Sequence, residues 1–129
     1  MSTHSGIALR FGDTYQTIYC HCNGCPEYML PMLRENYNSW DLASKLISYG
    51  DASYIDKKLE PTFDFHKFGT PEPNVSMFYH RDCGDDWLSC QSVCYLKREL
   101  FKQPSFEYVY IFEDGEWNVY KRNGEQIYI

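Results

Sequence analysis

Two Asx-Gly dipeptides, Asp114-Gly115 and Asn123-Gly124, punctuate the C-terminal part of the chain and constrain its fold more than any other feature. Ahead of them Phe106, Tyr108, Tyr110 and Phe112 fall at every second position, which puts the four rings on one side of an extended strand. Trp117 to Lys121 and Gln126 to Ile129 follow as two further β-rich runs. Asx-Gly supplies the backbone of a tight hairpin turn, so three runs and two turns predict a three-stranded meander.

The N-terminal end carries a similar signal. Gly6 to Phe11 and Thr14 to His21 are β-rich and joined by Gly12-Asp13, which predicts a β-hairpin. The dense turn Cys22-Asn23-Gly24-Cys25-Pro26 then leads into an apolar stretch, Met29 to Tyr37, that reads as a helix starting near Pro31, because a proline deeper inside deletes a hydrogen bond. Ser39 suits the N-cap of a second helix, with Leu42, Ala43, Leu46, Ile47 and Tyr49 at helical spacing and Gly50 as the stop. Asp51 to Val75 is polar and interrupted by Pro61, Pro71 and Pro73. It reads as irregular connection, with a short helical turn before Pro61 and with Phe63, Phe65 and Phe68 pinning it to the core. Ser76 to His80 suits a short strand, and Asp85-Asp86 ahead of Trp87 to Leu100 predicts a third helix, since acidic side chains favour the positive end of a helix dipole. The expectation is one α+β domain over residues 1–129, with a mainly antiparallel four- or five-stranded sheet packed by two or three helices.

At 129 residues, 43% apolar and 23% charged, the composition is that of one globular domain and not of a disordered chain. A net charge of −6 argues against a protein that grips phosphate backbones and allows a partner with a basic surface. No stretch approaches eighteen apolar residues and Met1 to Asp13 lacks a secretory signal, so no membrane contact is expected and the location read from the sequence is cytoplasmic. In that reducing compartment Cys20, Cys22, Cys25, Cys83, Cys90 and Cys94 favour free thiols or a metal over disulfides.

Several constellations could carry chemistry. Cys22-Asn23-Gly24-Cys25 is a CxxC turn that can bring two thiolates to one metal, and Cys90 and Cys94 would share a face if their segment is helical. The candidate zinc site is therefore Cys22, Cys25, Cys90 and Cys94, with His21 or Cys83 as substitutes. The repeated CxxC of standard zinc sites is absent, and small buried hydrophobes or surface thiols are the plainer reading of these cysteines. The same turn between a strand and a helix suits a thiol-disulfide oxidoreductase, but that fold needs a parallel βαβ framework. Cys20, His21, His80 and Asp82 could assemble a nucleophilic set, although strand alternation puts Cys20 and His21 on opposite faces. Twelve tyrosines and 18% aromatic residues suit binding surfaces and half-buried sheets equally. Tyr108, Tyr110 and Trp117, with His21, His80 and Asp82, are the candidate binding residues; as a core alternative, the rings of the C-terminal strands face the helices. Asp85, Asp86, Glu113, Asp114 and Glu116 join Asp82 in a candidate acidic face or serve as solvated caps and turns.

Three stretches carry a resemblance: Met1-Ser2-Thr3-His4-Ser5-Gly6-Ile7-Ala8; Tyr19-Cys20-His21 with Gly24, Pro26 and Glu27; and Tyr79-His80-Arg81-Asp82 with Gly84. Together with Tyr37, Gly50-Asp51 and Tyr108 to Trp117, they resemble a family of short phage and prophage proteins. Cys22, Cys25 and Cys83 depart from that pattern, which has aromatic or charged residues there. The resemblance implies phage origin and no catalytic signature. With the small size, the acidic, aromatic-rich composition and the lack of a convincing catalytic set it gives the functional expectation: an accessory protein that works by binding and modulating a host protein rather than by catalysis, to blunt a defence system or redirect a host enzyme. No cofactor beyond the zinc alternative is expected, and a sheet edge could be closed by a homodimer. The alternatives are a binder of a small nucleotide signal and a cysteine- or histidine-dependent enzyme.

Overall fold

The computed structural model describes residues 3–128. Met1 and Ser2 of the opening motif, and Ile129 at the expected end of the last strand, lie outside the described residues.

The N-terminal hairpin forms from β1 (Ser5–Phe11) and β2 (Thr14–Cys20), in register from Ser5 opposite Cys20 to Phe11 opposite Thr14. Helix α1 (Pro26–Asn36) begins at Pro26, not near Pro31. Pro31 instead sits inside it, on the solvent side, where water can satisfy the Glu27 carbonyl that loses its amide partner. Helix α2 (Trp40–Ser48) is capped as expected: the Ser39 side chain accepts from the Leu42 amide. Ala43, Leu46 and Ile47 form its buried face, while Leu42 is exposed.

Beyond Gly50 the chain runs through β3 (Ala52–Tyr54), a long irregular segment, β4 (Met77–Phe78), α3 (Tyr79–Cys83), α4 (Trp87–Cys90), β5 (Val93–Leu96) and α5 (Lys97–Leu100). The expected continuous helix from Trp87 to Leu100 is therefore corrected to helix, strand, helix. Gln91 takes an extended conformation that ends α4, and residues 93–96 pair antiparallel with residues 14–17 of β2. The C-terminal meander is present as β6 (Tyr108–Glu113), β7 (Glu116–Lys121) and β8 (Gln126–Ile127).

The sheet is also larger than expected, and mixed. Its order is β4-β3-β2-β1-β6-β7-β8, with β5 beside β2. Two of its pairings are parallel, β1 with β6 and β2 with β3. The hairpin and the meander thus join through a parallel contact of β1 with β6 whose crossover contains everything from Gly12 to Glu107, a pairing that no local turn signal announces.

Both faces of the sheet are covered. On one, α1 and α2 pack over Ile7, Leu9, Ile18, Cys20, Tyr110, Phe112, Trp117 and Val119. On the other, Leu100 and Phe106 close a second cluster over Ala8, Tyr15, Val109 and Ile111. Trp117 and Tyr110 are fully buried, and each polar tip is satisfied: Trp117 Nε1 donates to the Tyr37 carbonyl at 2.9 Å, and the Tyr110 hydroxyl donates to the Gly24 carbonyl at 2.6 Å. Among the described residues no helix is long and apolar enough to cross a membrane.

Candidate functional site

Two features stand out from this framework: a cleft at one end of the sheet and a rigidly held loop.

The cleft is set by backbone geometry first. Gly50 ends α2 with φ of +82°, and its backbone packs so close to the Cys90 carbonyl that a Cβ would collide with it. The next residue, Asp51, is pinned at its amide by the Cys90 carbonyl at 2.7 Å and at its own carbonyl by the Tyr79 amide at 3.1 Å. Its side chain turns to β2, where Oδ1 accepts the Tyr19 amide at 2.8 Å. Across the cleft, Phe106 lies against Gly6 of β1, occupying the space a side chain there would need. Tyr19 stacks on Phe106 with centroids 6.5 Å apart. Tyr95 and Val93 of β5, Thr17 of β2, Gln103 and Ser105 line the rest of a cavity of about 170 Å³.

Burial pushes the Asp51 carboxyl up to about 6, against the opposing pull of the Tyr19 amide. Among the described residues no Lys, Arg or His forms an ion pair with it. Burial likewise pushes the Tyr19 phenol up to about 12, so it stays neutral at physiological pH. Its hydroxyl hydrogen-bonds His21 Nδ1 at 2.7 Å, and the His21 ring stacks on His4 with centroids 4.4 Å apart. His21 is thus the one predicted binding residue that meets the cleft's surroundings.

The loop between β3 and β4 is held by polar groups, contrary to the expectation that Phe63, Phe65 and Phe68 pin it to the core. Those rings are 53%, 50% and 68% exposed. The anchor is His66, buried among polar partners: Nδ1 accepts the Glu72 amide at 2.9 Å, which leaves the proton on Nε2, 3.1 Å from the Ser76 carbonyl and 3.4 Å from Asp82 Oδ2. The Glu72 carboxylate accepts the Thr62 amide, the Phe63 amide and the Thr62 hydroxyl, all at 2.8 Å. Burial works to raise its pKa, but these hydrogen bonds outweigh it and hold the carboxyl below its ordinary value. Arg81 then grips Asp82 through Nε and Nη2 at 2.8 and 3.0 Å, donates to the Leu59 and Ser76 carbonyls, and lies over the Tyr49 and Phe78 rings. Phe63 and Phe65 stack on each other with centroids 5.0 Å apart. The network therefore fixes a loop that displays apolar rings to solvent.

The remaining candidates from the sequence are dispersed. Asp82 is committed to the loop network and also accepts the Phe78 amide at 2.9 Å. His80 is bonded to the Asp85 carbonyl at 2.8 Å and meets the edge of Trp87. Tyr110 and Trp117 are core residues with no surface to offer a partner, while Tyr108 is half-buried beside Lys121 and Arg122. The Cys20, His21, His80 and Asp82 set is not assembled: Cys20 is buried on the helix-covered face, and that burial pushes its thiol up to about 12. Nor are Cys22, Cys25, Cys90 and Cys94 gathered. Cys90 is buried with its thiol on the Asp86 carbonyl, and Cys94 is exposed on β5, because the helix that would have aligned them is broken. Among the described residues no three His, Cys, Asp or Glu side chains form a group that could hold a metal ion, and no disulfide links the cysteines.

Sequence reasoning missed Asp51, His66 and Glu72. Asp51 was marked by the Gly50 stop before it and by the Gly50-Asp51 pair of the resemblance, neither of which assigns it a role, and nothing marks His66 and Glu72, six residues apart in an irregular loop. Comparison with family models, curated proteins and solved structures finds no match to this chain.

Proposed function

We propose that this protein is a phage-encoded accessory protein that works in the host cytoplasm by binding a host protein, in the service of blunting a defence system. The observation that carries the binding reading is the loop of residues 57–76: a buried polar network holds it while Phe63, Phe65 and Phe68 face solvent. Exposed rings on a backbone tied down by buried hydrogen bonds favour protein recognition, since aromatic anchors dominate interface energetics and a pre-ordered loop loses little entropy on docking. The phage origin rests on the resemblance of the three sequence stretches. The chain's net charge of −6 suits a partner whose apolar pocket is rimmed by basic groups.

The test is site-specific photocrosslinking in bacterial host cells, with the crosslinking side chain at position 65 and, as a control, at Trp40, another exposed ring on a different element. A discrete crosslinked host protein at position 65 and not at position 40 is expected. Its loss on Phe63→Ser with Phe68→Ser, in a protein that keeps its melting temperature, would complete the case. Absence of any discrete product at position 65 would rule the loop out as the contact.

A further inference from the structure

We infer that the cleft formed by Asp51, Tyr19, Tyr95 and Phe106 is a binding site for an alkylammonium group. It shares no residue with the displayed loop and stands independently of the host-protein reading.

Three aromatic residues and one carboxylate line the cavity. Aromatic faces carry negative potential and attract cations, most strongly where water is excluded. The carboxylate supplies a full negative charge: among the described residues its one hydrogen bond is from the neutral Tyr19 amide and no basic side chain pairs with it. An anion would meet that charge with nothing to offset it. A bare divalent metal would find one carboxylate and no second ligand of its class. A guanidinium favours both oxygens of a carboxylate in a planar fork, and here Oδ1 is already occupied by the Tyr19 amide, which leaves Oδ2 for a single point charge. A volume of about 170 Å³ equals roughly five or six water molecules, which suits a methylated or primary ammonium head with the first carbons of its chain. That head can belong to a free amine or to a lysine side chain of another protein.

The position of the charge is built in. Gly50 and the Cys90 and Tyr79 backbone contacts fix Asp51. The missing side chain of Gly6 makes room for the Phe106 wall. The titratable groups facing Asp51 are Tyr19 of β2, Tyr95 of β5 and Cys90 of α4, with Glu99 beyond Tyr95. Burial raises the pKa of the two phenols and the thiol, so they stay neutral between pH 5 and 7.5. His21 and His4 adjoin Tyr19, and an Asp51→Asn profile separates their contribution.

The experiment is an NMR titration of the full isotope-labelled chain at pH 7.5 with tetramethylammonium, n-butylammonium, N-acetyl-lysine methylamide and the neutral isostere 3,3-dimethyl-1-butanol. Saturable shifts are expected at the Tyr19, Asp51 and Phe106 amides for the cations, with the isostere at least tenfold weaker. Asp51→Asn, which keeps an acceptor for the Tyr19 amide and so the fold, is expected to weaken the cations at least tenfold. Phe106→Leu is expected to weaken tetramethylammonium severalfold, and lowering the pH to 5 is expected to weaken the wild type but not Asp51→Asn. Tighter binding of the lysine model than of the simple amines identifies a protein side chain as the source; the reverse order identifies a free amine. No saturable shift with any cation, equal binding of the neutral isostere, or undiminished affinity in a folded Asp51→Asn protein would overturn the site.

Discussion

Asp51 is held at its amide, its carbonyl and one carboxylate oxygen, yet no basic side chain pairs with it among the described residues, and this combination has a consequence for stability. Its carboxyl titrates near 6 in the folded chain, against an ordinary value of 3.8. Between those values the folded state binds the proton more readily than the unfolded state, so this residue's contribution makes the protein more stable as pH falls through 6 towards 4, and less stable at neutral pH. Asp51→Asn removes the ionised form while keeping the acceptor for Tyr19. The expected result is a gain of roughly 1–2 kcal/mol at pH 7.5, discounted for partial solvent contact, that shrinks as pH falls through 6 and vanishes only below the ordinary value of 3.8. Thermal melts of the two proteins across that range give the difference directly. A wild type more stable than the variant at pH 7.5 would mean that a cation or a basic group compensates the carboxylate.

At the scale of elements, the loop between β3 and β4 takes its order from His66, Glu72, Asp82 and Arg81, with a backbone exchange between Lys58 and residues 74 and 76 at its base. Removing His66 strands the Glu72 amide and leaves Asp82 and the Ser76 carbonyl with fewer partners. His66→Ala is therefore expected to cost about 2–3 kcal/mol. In hydrogen exchange, the Thr62 and Phe63 amides, which donate to Glu72, should lose more protection than the amides of β1 and β6. Equal loss across all of them would show that the network stabilises the whole fold and not the loop. The same elements show why part of the structure could not be read from the sequence. The hairpin, α2 and the meander carry their own turns, cap and periodicity, and each was legible. From Met77 to Leu100 each element is two to five residues long, too short for a period, and is fixed by distant partners: β5 by β2, β4 by β3. The Phe-rich loop misled for a related reason. Its rings suggested the core, but buried hydrogen bonds already anchor the backbone, and those leave no pattern in a sequence.

For the whole molecule, β1 at the middle of the sheet joins the two ends of the chain through its parallel contact with β6, and the core so formed takes up Tyr110, Phe112 and Trp117, rings of the C-terminal strands that could have served a surface. Tyr110 and Trp117 illustrate this: their strand alternation was visible, but which side of the sheet meets the helices depends on the assembled topology. With those rings buried, the proposed host-protein contact rests on Phe63, Phe65 and Phe68, three exposed rings on one loop. The most direct test is the affinity of the host protein crosslinked at position 65, measured side by side for the wild type, the Phe63→Ser, Phe65→Ser, Phe68→Ser variant and His66→Ala. Both variants should bind at least tenfold more weakly, the first because the anchors are gone and the second because the loop no longer holds them in place. A ring-free variant that binds as tightly as the wild type would contradict the assignment of this loop as the binding surface.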